Sequence, residues 1–339
     1  MIGIIDCGNT GLTFYLVDKN DAILSKSRVN VGVTQTAKDG HNGRLKAGIL
    51  KAFASVLGES GVAKEDVEVI VAYGMITSEM GILEVPHIVA PVSMKALADH
   101  VVVVKDESLF PIDIPLILIP GIKNPFEHSS IENIGKADLM RGEEAQAAGV
   151  LYTYDLEYPI NILELGSTTK FISIDKQGRI AGSITSMSGQ VYGAVIQETF
   201  IGKCVKRQDD TEHYFSETIF NTAFNCVENG GLLRTLLLTR FSEIVLPSTW
   251  FEREFFVSSA IAADDVNVFK EAEKTMGFDV SADYVMIGTE DRCALYAYLL
   301  KNKLNHRGAI TKITDKREID MLGIQGAIAI SKEVSKNFL

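Results

Sequence analysis

The chain has 339 residues, enough for two domains with their own cores, and its apolar fraction of 46% is that of a globular protein rather than a disordered or membrane-embedded one. A formal net charge of -11, from 33 basic and 44 acidic residues with no Lys/Arg cluster, argues against nucleic acid or an anionic membrane as the main partner. The four cysteines, Cys7, Cys204, Cys226 and Cys293, form no C-x-x-C pair, so neither a zinc site nor a disulfide framework is expected, and a reducing cytoplasm fits best.

The apolar run Ile2 to Ile5 feeds Asp6-Cys7-Gly8-Asn9-Thr10-Gly11, after which Leu12, Phe14, Tyr15, Leu16 and Val17 resume the apolar pattern. This reads as strand, glycine turn, strand. Gly8 and Gly11 permit positive φ and close backbone approach, so the turn can aim N–H groups at an anion, and Asp6 supplies a carboxylate for magnesium-bound water. An ordinary N-terminal hairpin has the same pattern. Ala22 to Val31 reads as a third strand. Leu45, Ile49, Phe53, Val56 and Leu57 recur at helical spacing and predict a helix ending near Gly58, followed by a strand over Val67 to Ala72. The loop Gly74 to Gly81 stands past the carboxyl end of that strand, where open α/β sheets commonly place ligands. Ser93 to His100 predicts a short helix, Pro115 to Pro120 a buried strand, and 124–135 a polar surface loop.

In Lys136 to Ala148, Asp138 is placed to cap a helix running to about Leu151, with Arg141, Glu143 and Glu144 crowding its first turn. Adjacent helical residues project about 100° apart, so only one of the two glutamates can face a given site. Complementing the helix dipole would by itself put acids there. Ile160 to Ile180 then repeats the opening of the chain. Glu164 stands two residues before Gly166 as Asp6 does before Gly8, and Asp175 closes the second strand as Asp18 does. Two hairpins of matching layout, each opening one half, predict an α/β protein of duplicated domains, 1–154 and 155–339, each starting with a three-stranded meander and facing the other across a cleft.

In the second half Arg179 to Met187 predicts a strand, and Ser188-Gly189-Gln190 the start of a helix. Phe215 to Leu238 reads as helix interrupted at Asn229-Gly230-Gly231. Glu252 to Phe269 reads as one helix with Asp264-Asp265 solvated. A strand over Val280 to Ile287 ends in Gly288-Thr289 and leads into a helix from Arg292 to Lys303. Gly288 is a natural adenosine contact, although any β–α corner shares its pattern. The helix over Ile319 to Phe338 reads as structural. No cationic segment precedes an apolar run at the N-terminus, and no uncharged run is long enough to span a bilayer, so neither secretion nor a membrane anchor is expected.

Asp138-Leu139-Met140-Arg141-Gly142-Glu143-Glu144-Ala145-Gln146 closely resembles the D-V-M-R-G-E-E-T-Q stretch of the 2-keto-3-deoxygalactonate kinase family, within the sugar kinase, Hsp70 and actin superfamily. Gly74-Met75, Ser78, Gly81, Glu84 and Pro86, Pro120-Gly121, Gly166 with Lys170, Met187-Ser188-Gly189, Arg240 and the Gly288 corner extend the resemblance in the same order over nearly the whole chain. It implies two actin-like (ribonuclease H-like) domains around a nucleotide cleft. It also implies ATP- and magnesium-dependent phosphorylation of the terminal hydroxyl of a 2-keto-3-deoxy sugar acid, 2-dehydro-3-deoxygalactonate being the expected one. Asp6 would then hold the magnesium water shell, Gly8, Asn9, Thr10 and Gly11 would contact the phosphates, and Gly166, Ser167, Thr168 and Thr169 would grip them with Lys170 nearby. Gly288 would meet the adenosine. Glu143 takes the base position, with Glu144 the open alternative. Arg141 would pair with the substrate carboxylate, beside Gly74, Met75, Ser78 and Glu144.

Departures from the family pattern bear on the acceptor. Glu79 and Ile82 stand where the family has Arg and Trp, Ser167 to Thr169 replaces Thr-His-Ser, Gln190 replaces Glu, and Ser258 to Asp265 lacks the family's helix glycines. Two other readings follow: a catalytically weak paralogue that senses a nucleotide or sugar acid, and a kinase for another metabolite such as pantothenate, whose type III kinases open with D-x-G-N-T. The expected partner is a small molecule, with neither nucleic acid nor membrane, and a homodimer is left open.

Overall fold

A computed structural model describes residues 1–126, 130–210 and 212–338. Its contacts group the chain into two units, one of residues 1–158, 174–183 and 317 onward, the other of residues 159–173 and 184–316.

The first unit opens with strands β1 (Ile2–Cys7), β2 (Leu12–Val17) and β3 (Ile23–Val29), then helices α1 (Val33–Asp39) and α2 (Gly43–Ser60) and strand β4 (Val69–Gly74). It continues through β5 (Ile88–Val89), α3 (Met94–Asp99), β6 (Val102–Val104), β7 (Leu116–Leu118), β8 (Ile122–Lys123), β9 (Leu139–Met140) and α4 (Glu143–Thr153). The main sheet has the order β3-β2-β1-β4-β7-β6. β1–β2 and β2–β3 are antiparallel, while β1–β4 and β4–β7 are parallel. One face buries Ile5, Phe14, Leu16, Ile70 and Ala72 against Leu45, Ile49, Phe53 and Val56, the apolar stripe of α2. That helix runs past the expected stop at Gly58. It ends only where Gly61, at φ 70°, returns its N–H to Leu57 O at 2.9 Å.

A small second sheet has the order β5-β8-β9. It uses Leu139 and Met140 as a strand, so Asp138 does not cap α4 as expected, and the helix begins only after Gly142. Asp138 Oδ1 instead accepts from Ser183 Oγ at 3.1 Å, and Asn124 exchanges hydrogen bonds with the Ser183 backbone at 2.7 and 2.9 Å. Of the segment expected as a surface loop, 127–129 lie outside the described residues, and Ile131–Lys136 is a 3-10 helix capped by Ser130.

The remaining elements are β10 (Ile160–Leu165), β11 (Thr169–Ile174), β12 (Ile180–Ser186), α5 (Ser188–Glu198), α6 (Ile201–Cys204), α7 (Glu217–Val245), α8 (Trp250–Asp264), α9 (Val266–Lys274), β13 (Asp283–Gly288), α10 (Glu290–Asn302), β14 (Ile310–Ile313) and α11 (Lys316–Phe338). Their sheet has the order β12-β11-β10-β13-β14, with β10–β13 and β13–β14 parallel. Leu163, Phe171, Tyr284 and Met286 of this sheet pack with Phe269 and Leu299. α7 breaks at Gly231, φ 74° and ψ 164°, inside the expected interruption.

The single helix expected over 252–269 is two, divided at Asp265. Asp265 is not solvated: at 2% exposure it accepts from Ser186, Ser188 and Tyr296 at 2.5–2.7 Å, and those donors hold the chain at the break. α11 returns to the first unit. A Cβ on Gly326 would lie 1.9 Å from Ala145 O and one on Gly149 1.9 Å from Leu322 O, so α4 and α11 meet backbone to backbone. Among the described residues no helix is long and apolar enough to cross a membrane.

Candidate active site

In the first unit the Gly8 N–H donates to Gly11 O at 2.9 Å, closing the turn with Asn9 and Thr10 exposed at its tip. Asp6, two residues earlier and half-buried, pairs in register with Thr13 and Tyr73. Loss of hydration, and then the nearby Asp320 carboxylate of α11, push its carboxyl up to about 6, against the pull of Arg28 and a hydrogen bond from Tyr73. A carboxyl raised by burial gains from a cation beside it. Magnesium fits this donor set, since it keeps several waters and takes few protein carboxylates. Tyr73 and Asp320 carry no motif that sequence reasoning could have used.

Gly74 ends β4 opposite Cys7 in the parallel ladder. Its φ of 82° and the Cys7 carbonyl, 2.5 Å from where its Cβ would stand, together require glycine. Gly142, at φ 120°, lies against it, its Cβ position 3.5 Å from Gly74 Cα. This approach brings Arg141-Gly142-Glu143-Glu144 to the strand ends that carry the turn.

The two glutamates fold back onto consecutive amides. Arg141 N–H donates to Glu143 Oε2 at 3.1 Å and Gly142 N–H to Glu144 Oε2 at 2.6 Å. Glu143 is half-exposed, whereas Glu144 is fully buried with Oε1 unpartnered. Burial, then the Glu143 charge, push the Glu144 carboxyl up to about 7. The Arg141 guanidinium serves the protein. Nη1 donates to Thr77 O at 2.6 Å and to Thr77 Oγ1, and Nη2 to Val85 O at 2.9 Å and His87 Nδ1 at 3.1 Å. It thereby latches both ends of the loop after Gly74. Desolvation, followed by Arg141, holds His87 down to about 4, consistent with its accepting role. Within the loop Ser78 Oγ donates to Met75 O at 2.7 Å, Met75 packs on the core, Ile82 is buried and Glu79 exposed.

In the second unit Gly166, Ser167 and Thr168 form the turn after β10, with Ser167 exposed. Arg292 Nη1 donates to Leu165 O at 2.9 Å and to Gly166 O. Thr169 is buried with its hydroxyl 3.0 Å from Tyr296 Oη, and Lys170 is buried at 3% exposure. Gly288 ends β13 opposite Leu165.

Beside this turn opens a cavity of about 690 Å³ that includes Gly166, Gly189, Thr289 and Arg292 in its lining and extends along the aromatic face of α8. There His213 stacks on Phe251, centroids 4.6 Å apart, and Trp250 Nε1 donates to Asp209 at 2.8 Å. Glu254 in the lining accepts from Tyr192 and Ser258 at 2.7 and 2.9 Å. Sequence reasoning missed this cavity, because its aromatics recur at the spacing of core residues.

The model of the family described as 2-keto-3-deoxy-galactonokinase matches residues 6–325. No curated protein matches the sequence. Among solved structures, a candidate 2-dehydro-3-deoxygalactonokinase from Sinorhizobium meliloti is 16% identical over 98% of both chains with a TM-score of 0.74, which shows a common mixed α/β fold. The activator of the 2-hydroxyisocaproyl-CoA dehydratase from Clostridium difficile, with bound ADPNP, is 14% identical over 98% of this chain and 96% of its own, at a TM-score of 0.46. Component A of the (R)-2-hydroxyglutaryl-CoA dehydratase of Acidaminococcus fermentans is 14% identical over 98% and 99%, also at 0.46.

Proposed function

Because the chain belongs to the 2-keto-3-deoxy-galactonokinase family and is a sugar-acid kinase, a phosphotransferase, we propose that it phosphorylates the terminal hydroxyl of a 2-keto-3-deoxy sugar acid, 2-dehydro-3-deoxygalactonate first among them, with ATP and magnesium. The observation that carries this reading is the Gly74–Gly142 approach, which sets the Arg-Gly-Glu-Glu stretch at the strand ends bearing Asp6 and the Gly8–Gly11 turn.

In this reading Glu143 accepts the proton of the acceptor hydroxyl. It is the accessible glutamate of the pair, and its carboxylate is aimed by the Arg141 amide. Glu144, buried, fixes the Gly142 turn through the neighbouring amide. Arg141 acts by holding the loop that contains Gly74, Met75 and Ser78, so the substrate carboxylate need not meet the guanidinium directly. Asp6 would hold the water shell of magnesium, which when bound neutralises phosphate charge. The Gly8–Gly11 and Gly166–Thr169 turns contact phosphates, and the cavity beside Gly166 and Thr289 receives the nucleoside, its aromatic wall suited to a purine. Duplicated domains, 1–154 and 155–339, are part of the same proposal, as are a cytoplasmic location and a small-molecule partner.

The test is a coupled ATP-consumption screen over keto-deoxy sugar acids, other sugars and pantothenate. Turnover on a 2-keto-3-deoxy acid alone supports the reading. Turnover only on pantothenate or a neutral sugar replaces the acceptor, and tight ATP binding with no turnover on any of them makes the chain a sensor.

A further inference from the structure

A turn that holds phosphate in a chain of net charge -11 needs a cation close by. Lys170, the cation singled out by motif, is buried on β11. The register of the first sheet supplies another. Thr13 of β2 pairs with Asp6 on one side and with Arg28 of β3 on the other, so the three side chains form a row on one face. Arg28 Nη2 and Nε lie 3.8 and 3.9 Å from where a Cβ on Gly11 would stand, which places the guanidinium against the last residue of the turn.

Arg28 is exposed, and among the described residues it takes part in no hydrogen bond or ion pair. Two strand spacings, about 10 Å, separate the Arg28 backbone from that of Asp6, with Thr13 on the strand between them.

We propose that Arg28 is a phosphate-binding residue of the kinase reaction, its guanidinium contacting the terminal phosphates of a nucleoside triphosphate at the Gly8–Gly11 turn. The inference rests on the kinase reading above. A guanidinium suits the task because its planar fork can donate two parallel N–H bonds to phosphate oxygens and it stays charged at every working pH. Asp6 and Arg28 then bracket the turn with opposite charges, one for a cation and one for the anion it accompanies.

Calorimetric titration of the wild-type chain, Arg28→Gln and Arg28→Lys with magnesium-ATP and with adenosine tests it. The expected result is an ATP affinity about tenfold weaker in Arg28→Gln, the size of one charge-assisted contact, with adenosine affinity unchanged and Arg28→Lys between the two. Unchanged ATP affinity in Arg28→Gln overturns the assignment and leaves a solvated surface arginine. An equal loss for ATP and adenosine also overturns it, since the role would then be structural. A wild-type chain that does not prefer ATP to adenosine overturns the phosphate role of the turn, and Arg28 with it.

Discussion

The turn after β1 and the turn after β10 sit on the same kind of seat. Beneath the first, a Cβ on Gly32 would lie 2.4 Å from Gly8 O and 2.5 Å from Asn9 O; beneath the second, one on Gly189 would lie 2.5 Å from Gly166 O and 2.7 Å from Ser167 O. In each sheet the strand running parallel to the turn's first strand ends in a glycine, Gly74 opposite Cys7 and Gly288 opposite Leu165. These correspondences support the duplication proposed above. The side chains differ. The first turn has Asp6, Asp320 and the glutamate pair around it, and its strand-end glycine holds a positive φ. The second has a guanidinium gripping its carbonyls and an aromatic cavity alongside. One backbone frame thus carries a glutamate pair near its turn in one unit and an aromatic cavity beside its turn in the other, the separation expected if one unit activates an acceptor and the other receives a nucleoside.

The sharpest way to break the comparison is to substitute the two strand-end glycines. Gly74→Ala forces a Cβ into a positive-φ position 2.5 Å from the Cys7 carbonyl, and should cost about 3 kcal/mol or more. Gly288→Ala meets the Leu165 Cβ at 2.9 Å and its carbonyl at 3.1 Å without a positive φ, and should cost about 1 kcal/mol. Urea unfolding measures both, and equal losses would mean that the strain is not specific to the acid-bearing turn.

Next in size is the acid itself. Glu143→Gln should lower turnover by about 10² or more, with ATP affinity nearly intact, in single-turnover and titration measurements. An unchanged rate would move the base to Glu144 or leave neither glutamate of the pair as the base.

Much of this frame was legible in the sequence. Asp6 to Gly11 and Glu164 to Gly166 stand out because glycines punctuate alternating apolar runs, and alternation of that kind is set locally. What was hidden depends on contacts far apart in the chain. Asp138 has the residue type of a helix cap, but pairing of Leu139 with Lys123 claimed its neighbours for a strand. Asp265 has the composition of a solvated turn, and only its serine and tyrosine partners make it a buried helix break. Arg141 has the chemistry of a carboxylate partner, while its guanidinium is occupied by carbonyls 56 and 64 residues away. Arg28 carries no local signal, since its place beside Gly11 follows from strand register alone.

The buried glutamate sharpens the first half of the comparison through pH. The folded state holds the Glu144 proton up to about pH 7, whereas the unfolded chain releases it near 4.5. Stability from this group is therefore full below the unfolded value and declines as pH rises from about 4.5 through about 7. The decline should be about 2 kcal/mol, part of the shift being shared with Glu143. Glu144→Gln keeps the shape of the neutral acid and should lose that slope. Urea midpoints at pH 5 and pH 8 read it, and a variant as pH-dependent as the wild type would place the titration elsewhere.

The smallest effect concerns the grip on the second turn. Arg292 holds Leu165 O and Gly166 O with one nitrogen and reaches Thr169 Oγ1 with the other at 3.4 Å. Arg292→Gln removes these donors from a turn whose carbonyls can still turn to water, so unfolding stability should fall by only about 1 kcal/mol. Because Arg292 also lines the cavity, ATP should bind about fivefold more weakly, a change confined to the second unit's share of the ligand. Calorimetry with ATP alongside urea unfolding separates the two effects. A stability loss as large as that of Gly74→Ala would make Arg292 a strut of the fold. The two turns would then differ in how they are built rather than in what they hold.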